Sequence, residues 1–114
     1  MTDRSLELLK GTLDVLILKT LSWGPMHGYG VSRWIRERTG DVFSIEEGAL
    51  YPALRRLEKK GLLQAGWGVT DTGREAKFYR LTEAGERQLQ AEVTTWGRYV
   101  EAMSQVLQSP EPAR

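Results

Sequence analysis

The chain has 114 residues, enough for one hydrophobic core and too few for two independent folded domains. Hydrophobic residues make up 40% and charged residues 27%, a balance that excludes a disordered, collagen-like or membrane-embedded chain, and a net charge of +1 names no partner by itself. With no cysteine and a single histidine, His27, the sequence rules out disulfide frameworks, thiol catalysis and clustered metal ligands. The longest strictly apolar run, residues 15–18, is far below the roughly 20 residues that span a bilayer, and the first ten residues lack a secretion signal's layout. A cytoplasmic location is expected. Gly28-Tyr29-Gly30 lacks the further glycine and preceding strand of a dinucleotide fingerprint, and no Ser/His/Asp set or phosphate loop is present. Neither an enzyme nor a cofactor is expected.

In chain order, residues 10–22 place Leu13, Leu16, Ile17 and Leu21 on one stripe, the pattern of an amphipathic helix. It stops at Trp23-Gly24-Pro25, where the proline amide cannot continue the hydrogen-bond ladder. A second helix is expected over residues 27–38, with Tyr29, Val31, Trp34 and Ile35 as apolar surface, Arg33, Arg36 and Arg38 on the wet side, and Gly40 as the stop. Met26 and Tyr29 read as core, and His27 as a cap or packing residue rather than a ligand. Ser44-Ile45-Glu46-Glu47 reads as a capping box opening a third helix, with Leu50, Ala53, Leu54 and Leu57 as its buried stripe. Glu47, Gly48, Tyr51, Pro52, Arg55 and Lys59 fall on the other side, and Gly61 ends the helix. Pro52 is expected to bend it by crowding the carbonyl of residue 48, which Gly48 eases. Residues 62–67 and 76–81 read as two strands of a hairpin with a mobile polar tip. Thr82 caps a long final helix running to about Gln108, and the tail, residues 109–114, carries two prolines and is expected to be disordered.

Three helices followed by a hairpin is the element order of a winged helix-turn-helix, so the expected fold is mainly α with a small β-hairpin and a long C-terminal dimerisation helix. The expected division is residues 1–82 for the winged domain, 83–108 for that helix and 109–114 for the tail. The third helix is bare near its start, where Gly48 and Ala49 would let a backbone approach base pairs closely. Tyr51 and Arg55 project from one side, and arginine can bond bidentately to guanine or pair with phosphate. Arg55, Arg56, Lys59 and Lys60 equally fit a solvated helix face, and a winged-helix interaction module without specific DNA binding has the same element order. The chain has no asparagine, and no glutamine lies on this helix, so bidentate reading of adenine is unavailable to it.

On the final helix Leu89, Val93, Trp96, Val100, Met103 and Leu107 alternate four and three residues apart, a heptad seam. Some 25 residues of helix extend ~37 Å, more than one small domain covers, so the seam points to a second copy, with Leu6 and Leu9 in the same interface. Trp96 either fills that seam or sandwiches an aromatic effector across the two-fold axis, and Gly97 beside it weakens the helix locally.

Lys10-Gly11-Thr12-Leu13, Gly24-Pro25-Met26-His27-Gly28-Tyr29, Gly48-Ala49-Leu50-Tyr51-Pro52-Ala53-Leu54, Leu57-Glu58-Lys59-Lys60-Gly61-Leu62 and Phe78-Tyr79-Arg80-Leu81-Thr82-Glu83-Ala84-Gly85 together resemble the PadR family of bacterial transcriptional regulators over roughly residues 8–88. The resemblance implies a homodimeric winged helix with one C-terminal helix. It also implies a repressor of a pseudo-palindromic operator in double-stranded DNA, released by a small organic effector bound at the dimer interface or on the winged domain. It puts the recognition helix at residues 44–60 and the wing at residues 68–77. The DNA-facing set is then Ser44, Glu46, Gly48, Ala49, Tyr51, Pro52, Arg55 and Lys59 on the helix, with Arg74 and Lys77 on the wing. Ala49 departs from the family's frequent Thr or Ser and removes a hydroxyl contact. Gly30 replaces a common acidic residue at a cost of about 0.5–1 kcal/mol relative to alanine.

Overall fold

The computed structural model describes residues 6–9 and 11–112; Lys10, the head of the first expected helix, and Ala113 and Arg114 of the tail lie outside the described residues. The elements run α1 (Thr12–Leu21), β1 (Met26–His27), α2 (Gly28–Arg38), α3 (Glu47–Lys59), β2 (Leu63–Val69), β3 (Glu75–Leu81) and α4 (Glu83–Leu107). Residues 109–112 carry neither helix nor strand.

The core is built where the apolar stripes meet: Ile17, Leu18 and Leu21 of α1, Val31 and Ile35 of α2, and all four expected residues of α3, Leu50, Ala53, Leu54 and Leu57. Leu63 and Tyr79 of the sheet and Leu89 of α4 close it. The sheet is antiparallel in the order β1-β3-β2, and the wing pairs in register from Leu63↔Leu81 to Val69↔Glu75. Strand β1 is an addition to the expected hairpin: Met26 and His27 pair with Tyr79 and Phe78. Two residues have no readable period, which is why the sequence pattern conceals it.

Three local expectations need correction. Ser44 forms no capping box, because α3 starts at Glu47 with Glu46 as N-cap, and the Ala49 and Leu50 amides donate to the Glu46 carbonyl. Ile45, the residue before the cap, packs against the core that Leu50, four positions into the helix, also enters, the two positions of a hydrophobic staple, and the helix starts two residues later than expected. Tyr29 is exposed rather than core, whereas Met26 is half-buried. At Gly30, inside α2, a Cβ would lie 2.8 Å from Met26 Cγ, so any larger residue would displace the Met26 side chain. The wing tip is a hydrogen-bonded turn rather than a loose loop: Thr70 N donates to Arg74 O at 2.8 Å, Gly73 N to Thr70 O at 2.9 Å, and Arg74 N to Thr70 Oγ1 at 3.2 Å.

Helix α3 ends as its glycine requires. Gly61 has φ +77°, the Leu62 amide donates to Leu57 O at 3.0 Å and the Gly61 amide to Glu58 O at 2.9 Å, the two bonds of a Schellman turn. That turn delivers the chain directly into β2. The wing and α4 are then locked together at Thr82, whose hydroxyl donates to Gly61 O at 2.7 Å and accepts the Gly85 amide at 3.0 Å. Gly85 is buried so tightly that a Cβ would stand 2.2 Å from the Leu62 carbonyl oxygen. Beyond Leu89, α4 leaves the core and carries its apolar residues into the open.

Candidate nucleic-acid interface

Helix α3 buries one face and bares the other, with Glu46, Gly48, Ala49, Pro52, Arg55 and Lys59 all exposed, as is Ser44 before it. A Cβ added at Gly48 would meet nothing within 4 Å, so no contact inside the chain demands glycine there. Tyr51 differs from its neighbours. Its ring lies across Gly28 at the start of α2, where a Cβ would stand 2.7 Å from Tyr51 Cε1, and it is half-buried as a result. Burial, then the charge of Glu47 and then Tyr79, raise the phenol pKa above its ordinary value, so at neutral pH Tyr51 keeps its proton and can donate.

A cleft of about 510 Å³ separates this part of the helical domain from the wing, walled by His27, Tyr29, Arg33 and Tyr51 on one side and by Thr72 and Arg74 on the other. Arg74 is exposed and, among the described residues, pairs with no carboxylate; the same holds for Arg55. Lys77 is placed differently. Its Nζ lies 3.3 Å from Glu58 Oε1 on α3 and 5.5 Å from the centre of the Tyr79 ring, so it ties the wing to the helix. Arg33 is held by Glu37 at 2.7 Å. His27 caps α2, its Nδ1 accepting the Gly30 amide at 3.0 Å. The imidazole stacks beside Tyr29, ring centres 6.4 Å apart, and meets Phe78 edge-on at 5.4 Å.

The heptad seam divides in two. Leu89 is buried in the chain's own core, while Val93, Trp96, Val100 and Met103 are 42–47% exposed and Leu107 more so. A groove of about 580 Å³ between α1 and α4 gathers Leu6, Leu9, Val15, Phe43, Val93 and Trp96, which brings the N-terminal leucines to the seam. Trp96 stacks on Tyr99 with ring centres 5.8 Å apart. Tyr99 was not singled out from the sequence; its place three residues after Trp96 was the available signal. No helix among the described residues is long and apolar enough to cross a membrane, and none of their acidic or histidine side chains group in threes to hold a metal.

Residues 17–91 match the model of the Transcriptional regulator PadR-like family. An uncharacterized protein of Lysinibacillus sphaericus is 32% identical over 105 residues, 92% of this chain and 96% of that protein. The negative transcriptional regulator PadR of Bacillus subtilis is 30% identical over 77 residues, 68% of this chain but only 42% of that longer protein. The crystal structure of a PadR-like transcriptional regulator from Bacillus cereus superposes with a TM-score of 0.77 at 28% identity, covering 89% of this chain and 96% of the other. The match runs from Ile17 in the middle of α1 to Ala91 in the first half of α4, taking in α2, α3 and the wing, and the chain belongs to the PadR family of DNA-binding transcriptional regulators.

Proposed function

We infer that the protein is a homodimeric repressor that sets α3 into the major groove of an operator, lays the wing along the adjacent backbone, and leaves the DNA when a small organic effector binds. The observation that carries this reading is the face of α3: Gly48 and Ala49 leave a bare approach, with unpaired Arg55 two turns further on. The winged unit, residues 1–82, carries the DNA and residues 83–108 pair the two copies. Arg74 takes the phosphate contact on the wing. Lys77, already neutralised by Glu58, contributes by holding the wing in place. The exposed seam from Val93 to Leu107 supports pairing through α4, and two-fold symmetry then presents two recognition helices about one turn of DNA apart. The groove beside Trp96, apolar and continuous with that seam, is the place for an aromatic effector.

Fluorescence anisotropy with Arg55→Ala and Arg74→Ala tests the reading against a protein-interaction module. Both variants are expected to stay dimeric. Arg55→Ala loses about 1–3 kcal/mol on the operator and relaxes specificity, while Arg74→Ala weakens all DNA alike and lowers the salt slope by about one. Unchanged binding in both variants contradicts the assignment. The same titration, repeated with planar aromatic compounds that quench wild-type fluorescence but not the Trp96→Phe variant in the same way, tests release.

A further inference from the structure

We propose that His27 is itself a DNA-phosphate contact: its Nδ1 caps α2, and its Nε2–H donates to the backbone phosphate lying in the cleft between the helical domain and the wing. The proposal rests on the DNA-binding reading above and extends it to a residue outside both α3 and the wing.

The tautomer follows from the cap. Nδ1 accepts the Gly30 amide at 3.0 Å and must be unprotonated to do so, so the neutral imidazole carries its proton on Nε2. Turning the ring over would forfeit the cap, and Tyr29 and Phe78 hold it from two sides. Nε2 has no hydrogen-bond partner among the described residues, and it is not among their buried, unpartnered polar atoms, so it keeps access to solvent. A fixed donor pointing at nothing within its own chain is what a ligand contact looks like before the ligand arrives.

The surroundings name the ligand. The wall that holds His27 also holds Tyr51, whose raised pKa keeps it a donor, and the opposite wall carries the unpaired Arg74. The helix behind His27 turns its positive end toward the cleft. Asp71 and Glu75 share the wing wall with Arg74 and are exposed, so the anion is drawn toward the wall of His27 and Tyr51, with Arg74 facing it. A duplex whose major groove receives α3 and whose backbone meets the wing must run a strand past this cleft, which makes a phosphodiester the fitting anion.

Two isosteric substitutions separate the cap from the contact. In His27→Asn the amide oxygen replaces Nδ1 as helix cap and nothing stands where Nε2 was; in His27→Gln the amide nitrogen reaches the Nε2 position and the cap is lost. Each full-length variant is titrated at low salt against a labelled random-sequence duplex and against DNA from the gene's own upstream region, with thermal unfolding measured in parallel. His27→Asn is expected to unfold near the wild-type midpoint yet bind both duplexes about tenfold more weakly, because a phosphate contact carries no sequence information. Its salt slope stays at the wild-type value, since a neutral donor releases no counterion. His27→Gln is expected to melt lower but, well below its midpoint, to bind within about threefold of wild type. Wild-type affinity in His27→Asn overturns the proposal and leaves His27 a cap. Should His27→Asn fail to fold, His27→Ser, whose hydroxyl also caps α2 and leaves the Nε2 position empty, takes its place: a tenfold loss upholds the proposal and wild-type affinity overturns it. Wild-type protein that binds neither duplex refutes the DNA-binding reading itself, an outcome distinct from an unaffected His27→Asn.

Discussion

The double variant Trp96→Ala/Val100→Glu is expected to run as a monomer in light scattering at micromolar concentration and to lose at least about hundredfold in operator affinity, with its helical circular dichroism intact. Both side chains are more than two-fifths exposed and neither belongs to the core, so the winged domain should fold without them. In a dimer the same positions lie on the seam, where a buried glutamate from each copy costs several kcal/mol and each lost tryptophan adds roughly 3–5 kcal/mol. Operator affinity falls with the dimer because the second half-site is no longer bound as an intramolecular event. A stable dimer in this variant would place the interface elsewhere, and the groove formed by Leu6, Leu9 and Val93 would be the next surface to test.

Gly48→Leu should separate stability from function in the opposite sense. In the chain alone the new side chain meets open space, and replacing a helical glycine by leucine favours the helix by up to about 1 kcal/mol. The unfolding midpoint is therefore expected to hold or rise. On DNA the leucine stands between α3 and the base edges, and specific affinity should drop about hundredfold or more, some 3 kcal/mol. Unimpaired operator binding by a folded Gly48→Leu protein would mean that this face of α3 does not enter the groove. The contrast with Gly85 is instructive. There the missing Cβ is demanded by the Leu62 carbonyl within the chain, so glycine at position 85 serves the fold, whereas a Cβ at position 48 would meet open space.

The four helices and the wing were legible because their apolar residues recur at helical or strand spacing and their ends are marked by glycine and proline. The buried stripe of α3 matched residue for residue. What escaped the pattern was set by contacts between distant segments. Strand β1 exists only because β3 offers Phe78 and Tyr79 as partners, and α3 starts two residues later than expected, after an Ile45 that packs against the core. The same limit applies to the candidate interface. Spacing placed Tyr51 and Arg55 on one face, yet it could not reveal that Tyr51 rests on Gly28, that Lys77 is engaged by Glu58, or that His27 shares a cleft with Arg74. The seam was visible as a heptad, but that Leu89 belongs to the chain's own core while Val93 onward lies open depends on where α1 ends relative to α4.

Repression, pairing on the operator and release all depend on sequence-specific recognition of DNA by this α3 and wing. Its most direct measurement is the ratio of affinities for a duplex from the gene's own upstream region and for its scrambled counterpart, by fluorescence anisotropy at two salt concentrations. A ratio of ~10³ or more, with affinity for both duplexes falling as salt rises, is the predicted result. Equal, weak binding to the two duplexes, repeated with fragments selected from across the genome, would contradict it and leave a winged-helix module that binds protein instead.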